Sequence, residues 1–125
     1  MSYFQEKLDI ENYFKANWPD TPIFYENRTA NSTGTWVRLT IQNGDAFQAS
    51  NGEVSYRHPG VVFVQIFTKK EVGSGEALKL ADKVDALFRS KTLGNIQFKV
   101  PQVQKVPSTT EWYQVNVSTE FYRGS

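Results

Sequence analysis

The alternation of hydrophobic and polar positions divides the chain into helical and extended stretches. From Ser2 to Asn17, Tyr3, Phe4, Leu8, Ile10, Phe14 and the following Trp18 fall on one broad side of a helix, interrupted by Lys7 and Glu11. Ser2 and Gln5 have capping-box spacing, and Pro19 stops the helix because it lacks an N–H and restricts Trp18. A second helix is predicted over Glu76–Arg89, with Ser74 as its N-cap. Ala77, Leu80, Ala81, Val84, Leu87 and Phe88 share one face of it. Lys79, Asp82, Lys83 and Asp85 fill much of the remainder, as a solvated face with mild i,i+3 or i,i+4 pairing.

The rest reads as strands and turns. Ile23–Tyr25 is a short extended stretch, and 27–34 is a polar loop. Trp36–Gln42 alternates, with Val37, Leu39 and Ile41 on one side. Asn43-Gly44 and Asn51-Gly52 are hairpin signals around a short strand at Ala46–Ala49, and Glu53–Arg57 is a further strand. His58-Pro59-Gly60 reads as a turn. Val61–Thr68 is apolar on both faces, which predicts a central strand covered twice, the second time by a neighbouring subunit if the chain has too little material. Ile96–Val100 is another strand, Pro101 and Pro107 bracket an irregular or edge segment, and Trp112–Tyr122 is a long closing strand. This order predicts a single α+β domain over 1–125: a mainly antiparallel sheet with two helices packed on one face.

Charge and composition narrow the function classes. Fourteen Lys and Arg against thirteen Asp and Glu leave a net charge of +1, without the basic stripe of a nucleic-acid-binding module. The absence of cysteine removes disulfides, thiolate metal sites and a cysteine nucleophile. No apolar run approaches the roughly 20 residues that span a bilayer, and the N-terminus lacks the basic-then-apolar pattern of a signal peptide. The sequons at Asn27, Asn31 and Asn116 therefore read as chance occurrences.

Candidate chemistry is sparse. His58 is the single histidine and reads as a local turn residue. No serine sits in a nucleophile elbow. Asp82 and Asp85, like Glu6, Asp9 and Glu11, read as solvated helix surface. Gly73-Ser74-Gly75 lacks the spacing of a phosphate loop and is better read as a helix start. No catalytic residue, metal site or cofactor is expected. Trp36, Trp112, Tyr113 and Tyr122 fit a core or a protein interface better than a base-stacking platform, given the near-zero charge. Aromatic residues on otherwise polar strand faces make Arg57, Trp112, Gln114, Asn116 and Tyr122 candidate interface residues.

An ordered set of segments carries a family resemblance. It comprises Tyr25-Glu26-Asn27, Trp36-Val37-Arg38, Arg57 to Gly60 leading into Val61–Phe67, Gly73-x-Gly75, Leu80-Ala81-Asp82, Leu87-Phe88, Phe98, Pro101 and Trp112–Val117. The set resembles the small tail terminator proteins of bacteriophage and prophage tail modules. The resemblance implies an α+β subunit of a hexameric ring at the head-proximal end of the tail tube. Such a ring stops tube elongation and presents a surface for head joining. The implied partners are further copies of itself, the tail tube protein and a head-completion or connector protein, without specific nucleic-acid binding, membrane, cofactor or enzymatic activity. The implied location is the host cytoplasm during assembly and then the head–tail junction of the virion. Another head–tail connector subunit and a small-ligand-binding module remain alternatives at this point.

Overall fold

A computed structural model describes residues 2–25, 34–45, 47–48, 56–70, 74–107 and 111–124. The elements run α1 (Tyr3–Asn17), β1 (Ile23–Tyr25), β2 (Trp36–Asn43), β3 (Phe47–Gln48), β4 (Tyr56–Lys69), α2 (Ser74–Phe88), β5 (Thr92–Leu93), β6 (Ile96–Phe98), β7 (Gln102–Val106) and β8 (Trp112–Gly124). The sheet order is β1-β2-β4-β8-β6-β5, with β3 alongside β4 and β7 alongside β8. Every pairing is antiparallel except β1 with β2. The fold is α+β, with both helices on one face, as the periodicity predicts.

One buried cluster explains that layering. Val37 and Leu39 of β2, Val62, Val64 and Ile66 of β4, Ile96 and Phe98 of β6, and Val115, Val117 and Phe121 of β8 all point into it. Ala77, Leu80, Ala81, Val84 and Phe88 of α2 meet them with Ile10, Phe14 and Trp18 from α1 and its C-cap. Phe14 bridges the helices, stacked on Trp18 and on Phe88 with centroids 5.1 and 6.0 Å apart. The Tyr13 hydroxyl donates to the carbonyl of Leu87 at 2.6 Å, fastening α1 to the end of α2.

The first helix corrects its predicted face. Ser2 caps it as expected, accepting from the Gln5 amide at 3.1 Å, while the Gln5 side chain turns forward to Asp9. Tyr3 and Phe4 are exposed, and the position that joins Ile10 and Phe14 inside is Glu6. The charge is buried because a partner waits there: Arg123 of β8 donates to it at 2.9 Å. Predicted charge pairing on α2 also shifts. Lys83 pairs with Asp20 and Asp85 with Arg89, and the Asp85 hydrogen bond raises the Arg89 pKa.

The His58-Pro59-Gly60 turn is not formed. These residues lie inside β4, opposite Arg123, Tyr122 and Phe121. The chain does not turn at Asn43-Gly44 either, because β2 and β3 both pair with β4. The step from Asn43 to Phe47 opposes the shorter step from Gly60 to Arg57, a one-residue slip of the bulge type. Pro59, which has no N–H to give, lies opposite this interruption and accepts from the Gly44 amide at 3.0 Å. A second slip separates β6 from β7 along β8, between Phe98↔Phe121 and Gln102↔Ser118, and Pro101 sits in it. The bracketed segment after Pro101 is thus a true edge strand. The 27–34 loop apart from Gly34, the Asn51-Gly52 signal, residues 53–55 and Gly73 lie outside the described residues.

Candidate protein interface on the open sheet face

The two helices cover one face of the sheet, and strand alternation assigns the other face residue by residue. Trp36, Arg38, Thr40 and Gln42 project from β2, Arg57, Val61, Phe63, Gln65 and Phe67 from β4, and Trp112, Gln114, Asn116, Ser118, Glu120 and Tyr122 from β8. The five sequence-predicted interface residues therefore come together on one surface. Arg57 is exposed, whereas Trp112, Gln114, Asn116 and Tyr122 are partly buried. Tyr113 departs from its aromatic neighbours and packs against the core on the helix side.

One end of this face is aromatic. Trp36 stacks on Phe67 with centroids 4.1 Å apart, and Phe24 and Trp112 meet its edge regions at 5.5 and 6.2 Å. The Arg38 guanidinium lies 5.4 Å from the Trp36 centroid, a cation–π contact. Trp36 is only 8 % exposed although it lies outside the main core, so the cluster forms a small second core of its own. β1 supplies Phe24 from the sheet edge, a contribution that a three-residue extended stretch did not signal in sequence.

The middle is neutral and polar. Gln114 donates to Asn116 at 2.9 Å along β8. A groove of about 270 Å³ runs between Thr40, Gln42, Phe63, Gln65 and Asn116. At the far end the Lys99 ammonium lies 4.5 Å over the Tyr122 ring and donates to its hydroxyl at 3.1 Å. That hydrogen bond is the main reason the Lys99 pKa is raised. Beside it, a groove of about 240 Å³ is walled by Val61, Phe63 and Val100, with Gln102, Ser118 and Glu120 at its rim.

This surface suits recognition by contact. Aromatic residues supply large buried area, amides supply adaptable hydrogen bonds, and charge enters as the cations Arg38, Arg57 and Lys69 with the carboxylate of Glu120. Among the described residues no group of three or more His, Asp or Glu is placed to hold a metal ion, and no helix is long and apolar enough to cross a membrane. His58 meets Tyr3, with its Nδ1 3.3 Å from the phenolic oxygen.

Comparison with known proteins agrees on fold and family. A solved structure superposes with a TM-score of 0.70 at 20 % identity, covering 98 % of this chain and 96 % of its own, which establishes a shared fold. No individually curated protein matches the chain. The family model described as phage tail terminator protein matches residues 5–121, from the first turn of α1 to Phe121 in β8. With nearly every element inside that match, the chain belongs to the phage tail terminator family and is a structural protein rather than an enzyme.

Proposed function

We propose that this protein assembles into a ring, a hexamer by family resemblance, that caps the head-proximal end of the phage tail tube. The ring stops addition of tube subunits and offers its outer surface to a head-completion or connector protein. Its working location is the host cytoplasm during assembly and the head–tail junction afterwards. The observation that carries this reading is the two-faced strand β4. Val62, Val64 and Ile66 are buried by the helices, whereas Val61, Phe63 and Phe67 stand half-buried on a face that both helices leave open. Half-buried apolar residues on a strand face that the helices leave uncovered suit a protein contact, and in a closed ring a neighbouring copy supplies the cover.

Electron microscopy of purified protein mixed with tail tubes tests the role. The expected result is density at one end of each tube and an arrest of elongation. Binding along the tube wall, or growth past the bound protein, overturns it in favour of a connector or other tail-completion role.

A further inference from the structure

Asn43 ends β2 and Gly44 follows it, an Asn-Gly pair in which both residues are exposed. Asparagine is thermolabile because its side-chain amide can be lost. A following glycine makes the loss easiest, since without a Cβ its backbone nitrogen can approach the Asn side chain. In this fold both reacting groups are occupied. The Asn43 amide donates to Glu6 Oε2 at 2.8 Å, and the Gly44 N–H donates to the Pro59 carbonyl at 3.0 Å. Glu6 is itself pinned: it is 1 % exposed, and Arg123 donates to its other oxygen at 2.9 Å. We propose that Asn43 is a deamidation site protected by the Glu6–Arg123 pair, and that its deamidation irreversibly loosens the first turn of α1.

The step needs no reagent beyond water and its ordinary base. The Gly44 nitrogen gives its proton to solvent and attacks Asn43 Cγ. The new N–C bond closes a five-membered imide, the Cγ–Nδ2 bond breaks, and the side-chain amide leaves as ammonia. Water then opens the ring at either carbonyl, to aspartate or isoaspartate, with no change of oxidation state. Attack requires the Gly44 N–H to leave Pro59 and the Asn43 amide to leave Glu6, so it proceeds from a locally opened state. The product cannot restore the contact. A carboxylate at position 43 has no hydrogen to give Glu6 and stands against it as a like charge. The titratable and charged groups tied into this site are Glu6 and Tyr3 of α1, His58 of β4 and Arg123 of β8. Arg123 already balances Glu6, so the second carboxylate is uncompensated. Tyr3, 5.0 Å over the Arg123 guanidinium and in contact with His58, belongs to the same turn and is disturbed with it.

The purified protein is held at mildly alkaline pH, native and in guanidinium chloride, and peptide mapping follows Asn43 separately from the other Asn-Gly pair, Asn51-Gly52. Asn43 is expected to deamidate about a hundredfold more slowly in the native protein, where two hydrogen bonds must break first. Glu6→Leu/Arg123→Met keeps the site packed but removes the acceptor, and should deamidate about tenfold faster than the native protein. Asn43→Asp supplies the product directly, so it decides the consequence even if the paired variant does not fold. It should lower the thermal midpoint at mildly alkaline pH and speed hydrogen exchange in the first turns of α1 but not in α2. As pH falls the new carboxyl takes a proton and regains a hydrogen to donate, so the deficit against the unaltered protein shrinks. His58 is present in both proteins, and comparing them at each pH cancels its own titration. Native deamidation as fast as in the unfolded chain overturns the protection, as does a folded Glu6→Leu/Arg123→Met protein that reacts no faster than the native one. An unchanged midpoint and exchange pattern in Asn43→Asp overturns the loosening of α1.

Discussion

Arg123 Nε and Glu6 Oε1 lie 2.9 Å apart with both side chains almost wholly buried, joining the first turn of α1 to the last residues of β8. The second carboxylate oxygen accepts from Asn43, so the end of β2 joins the same network. Removing one member leaves an uncompensated charge inside the protein. Glu6→Ala is expected to destabilise the fold by roughly 3–5 kcal/mol, whereas an apolar pair at both positions should recover much of that loss. Urea denaturation of the single and double variants reads both effects. Equal losses in Glu6→Ala and Glu6→Leu/Arg123→Met would contradict the account.

Gly60 faces Phe121 across the β4–β8 ladder, and a Cβ at this position would stand 2.3 Å from the Phe121 ring. The ring is fully buried and also packs against Phe98. Gly60→Ala should therefore cost about 1–3 kcal/mol through overpacking. Phe121→Leu placed in the same chain should relieve part of it, which thermal unfolding of the two variants and the double variant would reveal as non-additivity.

Burial raises the pKa of Tyr13 above its ordinary value of 10.0, so the folded state favours the neutral phenol. The sign follows from linkage: the stabilisation is fully present below about pH 10 and is lost as pH rises through the folded-state pKa. Tyr13→Phe removes the hydrogen bond to Leu87 and should cost about 1 kcal/mol at neutral pH. It should also flatten the alkaline limb of the stability profile, as measured by denaturant titrations at increasing pH.

Trp112 and Tyr122 stand on the open face at opposite ends of β8. If that face is the subunit contact, Trp112→Gln and Tyr122→Ser should each weaken assembly by roughly 30-fold, the effect of losing about 2 kcal/mol at an interface hot spot. Sedimentation of the protein alone and bound to tubes measures it. Unchanged assembly in both settings would remove this face from the interface.

Much of the architecture is legible in the one-dimensional pattern. The face of α2 from Ala77 to Phe88, the alternation of β2 and β8 and the two-faced β4 all survive folding, because solvent exposure along a regular element repeats with that element's own period. The five candidate contact residues share a face for the same reason, since the pairing of β4 with β8 aligns their alternation without a slip. The departures occur where a distant residue changes what a local signal means. His58-Pro59-Gly60 has turn composition, yet β8 on one side and the slipped β2–β3 arm on the other hold it extended. Glu6 looks like helix surface until Arg123, remote in sequence, arrives to neutralise it. Phe24 reaches Trp36 only because β1 lies parallel to β2.

By itself, then, the sequence determined the helix and strand periods, the layer class, the family and the absence of cysteine chemistry. Only the tertiary structure decided which charge is buried, where the strands slip, and that the aromatic cluster and the Val100 groove share an open face while Phe4 stands on the opposite layer. Local patterns report whether a residue prefers water. Partners far along the chain determine whether that preference is satisfied, overridden or left for another molecule.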